Sequence, residues 1–163
     1  MNQDELTALF KKVGARKPEG WARSQIEEGI PQLARFLFLR QAWAQVVRES
    51  DGKWIDAQIQ NTDKRPDGPF AGTGLALRKL RARGATDEEL TDLVRGMQVE
   101  LLFQFCYLLE DPGAVEPEVK DIAWALVQVD NKGRLVGNIG GLHESVLETD
   151  PTGREMRPRG GAG

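Results

Sequence analysis

Residues 86–111 read TDEELTDLVRGMQVELLFQFCYLLED, and this stretch decides the fold. Thr86 and Glu89 have the spacing of a capping box, in which a hydroxyl and a carboxylate satisfy the first free N–H groups of a helix. Asp87 and Glu88 add negative charge where the helix dipole favours it. Leu90, Leu93, Val94, Met97, Leu101, Phe105 and Leu108 then recur at helical spacing, and from Val99 onward the segment is apolar nearly all round. The pattern predicts a long buried helix at the centre of a bundle, stopped by Asp111-Pro112-Gly113. Interrupted by Glu100 and Gln104, its apolar stretch from Val99 to Leu109 falls short of the roughly 20 residues a membrane span requires.

Upstream, the tight joint Gly84-Ala85-Thr86 predicts an αα-hairpin. Its first arm holds Phe70, Leu77 and Leu80 on one face and ends in the basic run Arg78 to Arg83, which complements the dipole at a helix C-terminus. Asn61 to Pro69 has the polar, proline-containing composition of a surface loop. Trp54, Ile55 and Ile59 predict a short helix before it, and Pro31 opens a long one carrying Leu33, Phe36, Leu37, Leu39, Trp43, Val46 and Val47, ending near Ser50-Asp51-Gly52. Ser24 and Glu27 have capping-box spacing, but Gly29 and Pro31 keep any helix between Trp21 and Glu28 brief. Leu6, Leu9, Phe10 and Val13 form one face of an opening helix closed by Gly14.

Downstream, Val119, Ile122, Ala123, Leu126 and Val127 keep helical spacing from Pro117. Residues 123–129 also read as a strand entering the turn Asp130-Asn131-Lys132-Gly133, so a helix is expected first, with one small β-hairpin over the turn. Glycines 137, 140 and 141 then punctuate an irregular C-terminal arm. The fold class is mostly α: a single-domain helical bundle over residues 1–156 with that arm wrapped on it, and a flexible tail over 157–163.

Composition narrows the function classes. The 163 residues are 40% hydrophobic and 29% charged, with a formal charge of -3, which fits one ordinary soluble domain and supplies no bulk field for nucleic acid or a membrane surface. Cys106 and His143 are the only cysteine and the only histidine. They allow no internal disulfide and no Cys/His zinc set, so neither a metal nor another cofactor is expected. The polar, acidic start Met1 to Glu5 lacks a signal-peptide pattern, and the expected compartment is the cytoplasm. Cys106 sits among apolar residues, where a thiol behaves as a small buried hydrophobe with a raised pKa.

Two groups of residues could carry chemistry. Arg40 falls inside the apolar arc read for its helix, where a charge needs a partner; Glu100, in line with Gln104 and Tyr107, is the candidate carboxylate. The alternative places Glu100 and Gln104 on the solvent side of their helix with Arg40 at an edge. His143 and Glu144, with Ser145 next to them and Asp150 nearby, gather imidazole, hydroxyl and carboxylate in one span, which is where acid–base chemistry would sit if the chain were an enzyme. A surface or structural histidine is the other reading. Gly72-Thr73-Gly74 lacks the Walker lysine and reads as small residues permitting close helix packing.

The run Tyr107-Leu108-Leu109-Glu110-Asp111-Pro112, the Trp124 region leading to Val129-Asp130-Asn131-Lys132-Gly133, and Gly141-Leu142-His143-Glu144-Ser145 followed by Asp150-Pro151-Thr152-Gly153-Arg154-Glu155 together resemble a family of uncharacterised bacterial proteins. The resemblance covers about the C-terminal half and implies a bacterial cytosolic source, with no activity, cofactor or site residue attached. The functional expectation is a non-enzymatic helical interaction module, of adaptor or immunity type, whose partner is another protein, with Trp21 or Trp54 centred on an exposed patch and a homodimer compatible with it. A small-molecule-binding protein or hydrolase with a pocket near His143 is the competing reading.

Overall fold

The computed structural model describes residues 1–111, 113 and 116–159. Among them are seven α-helices: α1 (Gln3–Lys12), α2 (Pro18–Glu28), α3 (Gln32–Trp43), α4 (Trp54–Lys64), α5 (Ala71–Ala82), α6 (Asp87–Leu108) and α7 (Leu142–Ser145). A single 3-10 turn covers Pro117–Val119, and two strands, β1 (Val127–Val129) and β2 (Leu135–Asn138), pair antiparallel. The mostly α class with one small hairpin is therefore observed. The chain gathers into two compact units, Met1–Gln45 with Leu101–Gly163, and Val46–Glu100. The tail expected over 157–163 lies outside the described residues from Gly160 onward.

In the first unit, α1 begins on a complete capping box: Asn2 accepts from the Glu5 N–H and donates its own N–H to the Glu5 carboxylate. Leu6 and Phe10 bury one face of this helix against Trp21, Ala22 and Phe36. The rings of Phe10, Trp21 and Phe36 meet with centroids 5.6–6.0 Å apart, Trp21 stacking on Phe10 and meeting Phe36 edge-on. Helix α2 starts at Pro18, earlier than the Ser24 capping box predicts, because proline at the first position pre-sets the helical φ. Ser24 instead accepts a hydrogen bond from the Gln32 side chain at 2.8 Å, and left-handed Gly29 ends the helix.

Helix α3 stops at Trp43 rather than near Ser50. Its buried face is Gln32, Arg35, Phe36, Leu39 and Trp43, one residue out of phase with the arc read from the sequence. The region from Pro117 is not the helix its spacing predicts: after one 3-10 turn the chain is irregular to Leu126 and then enters the hairpin. The Asp130 side chain accepts from the Lys132 and Arg134 N–H groups and so fixes the turn, and the register shifts between Gln128 and Val129.

In the second unit, α5 pairs chiefly with α4 rather than forming its main contact with α6. Gly74 makes this approach possible, since a methyl group there would fall 2.1 Å from the Thr62 hydroxyl oxygen. The same contact explains why α4 runs on through Asn61 to Lys64, which by composition read as loop: Thr62 is buried and donates to the Ala71 carbonyl at 3.1 Å. Phe70 is not part of the α5 core face; it precedes the helix with a left-handed φ of 68° and is exposed. The Val47 N–H and carbonyl, released by the early stop of α3, are met by Gln98 and Arg95. Ile55, Leu77 and Leu90 form the core here, and the basic run at the end of α5 is paired, Arg78 with Asp63 and Arg81 with Asp56 and Asp87.

The capping box of Thr86 and Glu89 is formed as predicted. Helix α6 is not buried all round, however. Leu93, Met97, Leu101, Phe105 and Leu108 are exposed, and from Val99 onward only Val99 and Cys106 are fully buried. No helix among the described residues is long and apolar enough to cross a membrane.

Candidate functional site

Helical spacing sets Phe103, Tyr107 and Glu110 in register at the end of α6, and α7 brings His143 against them. The imidazole packs edge-on to Phe103 at 5.9 Å and to Tyr107 at 5.1 Å between ring centroids. Its Nδ1 lies 3.4 Å from one Glu110 carboxylate oxygen, while the other accepts the N–H of Leu142. One carboxylate thus bonds the backbone at the start of α7 and lies close to the imidazole that follows. Cys106, one turn earlier, is 1% exposed, and burial together with the Glu110 charge pushes its thiol up to about 11.

Beside this pair lies Arg35, 7% exposed, whose guanidinium reaches the Ser145 hydroxyl at 3.5 Å. Burial lowers its pKa from the ordinary arginine value, opposed by the charges of Glu144, Glu110 and Glu28. Its Nε has no hydrogen-bond partner, and neither has the Nδ1 of His143. A histidine oriented by a carboxylate is half of an acid–base arrangement. The hydroxyl of Ser145 is turned to Arg35, so it is not presented to His143 as a nucleophile.

The other sequence-named residues fall elsewhere. Arg40 is exposed and donates to the Val13 carbonyl at 3.1 Å, so it is not the buried cation the arc implied. Glu100 and Gln104 are exposed on α6, which is the solvent-side alternative, and Glu144 is also exposed. Asp150 is fully buried; its carboxylate accepts from the Thr152 N–H and hydroxyl and from the Met156 N–H, and Glu155 and Met156 both adopt left-handed φ angles. The sequence reading named Arg40 and missed Arg35 and Glu110. Arg35 had a signal, since it falls at i+3 from Gln32 and i−4 from Leu39 on the face that is buried.

Arg40 and Asp150 do share a cleft of about 150 Å³, floored by Trp21, Phe36 and Trp43. Trp43 donates its indole N–H to the Val146 carbonyl at 2.9 Å and to the Thr149 hydroxyl at 3.1 Å, which fixes the floor. Cations on the wall meet carboxylates there, Lys17 lying 3.7 Å from Glu148. The second unit has a cleft of about 340 Å³ lined by residues including Thr62, Arg65 and Phe70. Among the described residues, no group of three or more His, Cys, Asp or Glu side chains is placed to hold a metal ion.

The largest departure from an ordinary domain surface is apolar. In the first unit Leu101, Phe105 and Leu108 are exposed at the end of α6, and so are Ile122 (61%), Trp124, Val129, Leu135 (68%) and Val136 (58%). The Trp124 indole N–H donates to the Leu108 carbonyl at 2.6 Å, tying the segment before the hairpin to α6. Trp21 and Trp54 are not the anchors expected: Trp21 is buried, and Trp54 donates to the buried Thr91 hydroxyl at 2.8 Å. Comparison of the chain with protein-family models, with curated proteins and with solved structures found no match in any of the three.

Proposed function

We propose that the chain is a non-enzymatic binding module that works by presenting the end of α6 and the hairpin to another polypeptide. The observation that carries this reading is the exposure of Phe105, Ile122, Trp124, Leu135 and Val136 within one unit. A monomer rarely exposes so many large apolar side chains within one unit, and aromatic residues of this kind anchor interfaces. A bacterial cytosolic setting, as the C-terminal strings imply, belongs to the same proposal. The test is a photo-reactive phenylalanine analogue at position 105, irradiated in extracts of the source cells. A discrete cross-linked polypeptide, absent when the probe replaces the exposed Gln41, is expected; cross-linking no stronger at 105 than at 41 overturns the reading.

A second reading is favoured by one observation, the cleft floored by Trp21, Phe36 and Trp43 with Arg40 and Glu148 on its wall. Mixed charge over an aromatic floor suits a small polar molecule carrying an apolar ring. Ligand-observed NMR against a set of small aromatic acids and amines tests it. Signals that weaken in Arg40→Ala support the site, and no binding, or binding unchanged in that variant, removes it.

A further inference from the structure

The exposed face in the first unit has a shape as well as a composition. Strands β1 and β2 form a sheet of only two, so each keeps one edge unpaired. An isolated two-stranded hairpin is marginal in water, and an open apolar edge is a template for another strand. Leu135 and Val136, the two most exposed large apolar residues of the sheet, stand on β2. We propose that the occupant of this face is a second copy of the chain, docked about a two-fold axis with the β2 edges of the two copies antiparallel. The inference rests on the reading that this face binds polypeptide, and it specifies which polypeptide.

Three observations select a copy. The first is area: the exposed parts of Leu101, Phe105, Leu108 and the large apolar side chains from Ile122 to Val136 come to on the order of 1,000 Å². Leu135 and Val136 follow one another on β2 and so stand on opposite faces of the sheet, and the part of this sum on one face is on the scale of the roughly 800 Å² or less that each partner gives to an interface. The second is the edge itself, since a strand turned by a two-fold axis perpendicular to it meets its own antiparallel complement, and the two hairpins then make one four-stranded sheet. Third, Ile122 to Val129 contains no charge, while the residues around it carry both signs: Glu116, Glu118 and Asp121 with Lys120, then Asp130 with Lys132 and Arg134. A face of single sign would repel its copy; this one does not.

Sedimentation equilibrium of the full chain, with Leu135→Lys and Ile122→Lys, tests the proposal. The wild-type mass rises from 18.1 kDa towards twice that value with concentration. Each lysine variant weakens the dimer by about tenfold or more at unchanged helical circular dichroism. Should Leu135→Lys unfold the hairpin, Ile122→Lys, which lies off the sheet, decides the face. A wild-type chain that stays monomeric at every concentration overturns the dimer, as does a dimer that both variants leave intact. A monomer that still cross-links from position 105 to a different polypeptide ends this inference and leaves the binding-module reading standing; a monomer without cross-links ends both.

Discussion

Gly141 lies directly against the buried Arg35 guanidinium: a methyl group at position 141 would fall 2.1 Å from Nη2 and 2.5 Å from Cζ. The residue also has a φ of 67°, a left-handed conformation that costs a residue with a Cβ. Two independent constraints therefore require glycine where α7 begins. Gly141→Ala is expected to lower stability by about 1–3 kcal/mol in urea unfolding, while Gly140→Ala, with open space around it, changes it by less than about 0.5 kcal/mol. Equal effects at the two positions would show that the Arg35 contact constrains nothing.

Arg35 and Arg40 sit five residues apart on α3 and should respond unequally to loss of charge. Arg40→Met removes an exposed side chain bonded to one carbonyl and is expected to change stability by less than about 1 kcal/mol. Arg35→Met leaves Glu110, Glu144 and Glu28 without their shared buried cation and is expected to cost about 3 kcal/mol. Thermal or chemical unfolding of the pair reads the difference directly.

Close packing of α4 on α5 depends on Gly74. Gly74→Ala would press against the Thr62 hydroxyl and, at 2.8 Å, the Gln58 carbonyl oxygen, and is expected to destabilise by about 1–3 kcal/mol. Gly72→Ala meets nothing within 4 Å and is expected to be neutral or to stabilise by up to about 1 kcal/mol through helix propensity. Thr62→Ala in the Gly74→Ala background should recover part of the loss, the Gln58 carbonyl holding the remainder.

The Glu89 carboxylate accepts from the Thr86 N–H and then from the Thr86 hydroxyl, and these bonds hold its pKa below the ordinary glutamate value. A carboxyl depressed on folding adds stability that is present above its unfolded pKa and is lost as pH falls through the folded one. Acidification through and below the ordinary carboxylate range should therefore weaken the start of α6. NMR titration should place the Glu89 midpoint below the usual glutamate range, and Thr86→Ala should move it upward and reduce the acid dependence of stability. A midpoint unmoved by Thr86→Ala would mean the capping box is not formed in solution.

What could be read from the sequence was local. The box of Thr86 and Glu89, the helix ends at Gly14, Gly29 and Gly84, and the turn at Asp130 to Gly133 each depend on residues a few positions apart, and each is where its chemistry places it. The errors arose where a distant residue decided the outcome. Thr62 is helical because Gly74 lets α5 approach, and α3 ends at Trp43 while Gln98 and Arg95 meet the backbone beyond it. At the candidate site Tyr107 and His143 were both singled out, yet nothing in their spacing shows that one ring rests on the other or that Glu110 bridges them. Helical periodicity found an apolar arc on α3 but placed it one residue out of phase, which exchanged Arg40 for Arg35.

The buried Asp150 carboxylate has a consequence for the chain that follows it. Two successive residues with side chains, Glu155 and Met156, are held in left-handed backbone conformations, each costing about 1–3 kcal/mol, and the Met156 N–H is bonded back to Asp150. The carboxylate offsets part of that cost. Without it both backbone conformations would lose that hydrogen bond, next to the Glu155 wall of the aromatic-floored cleft.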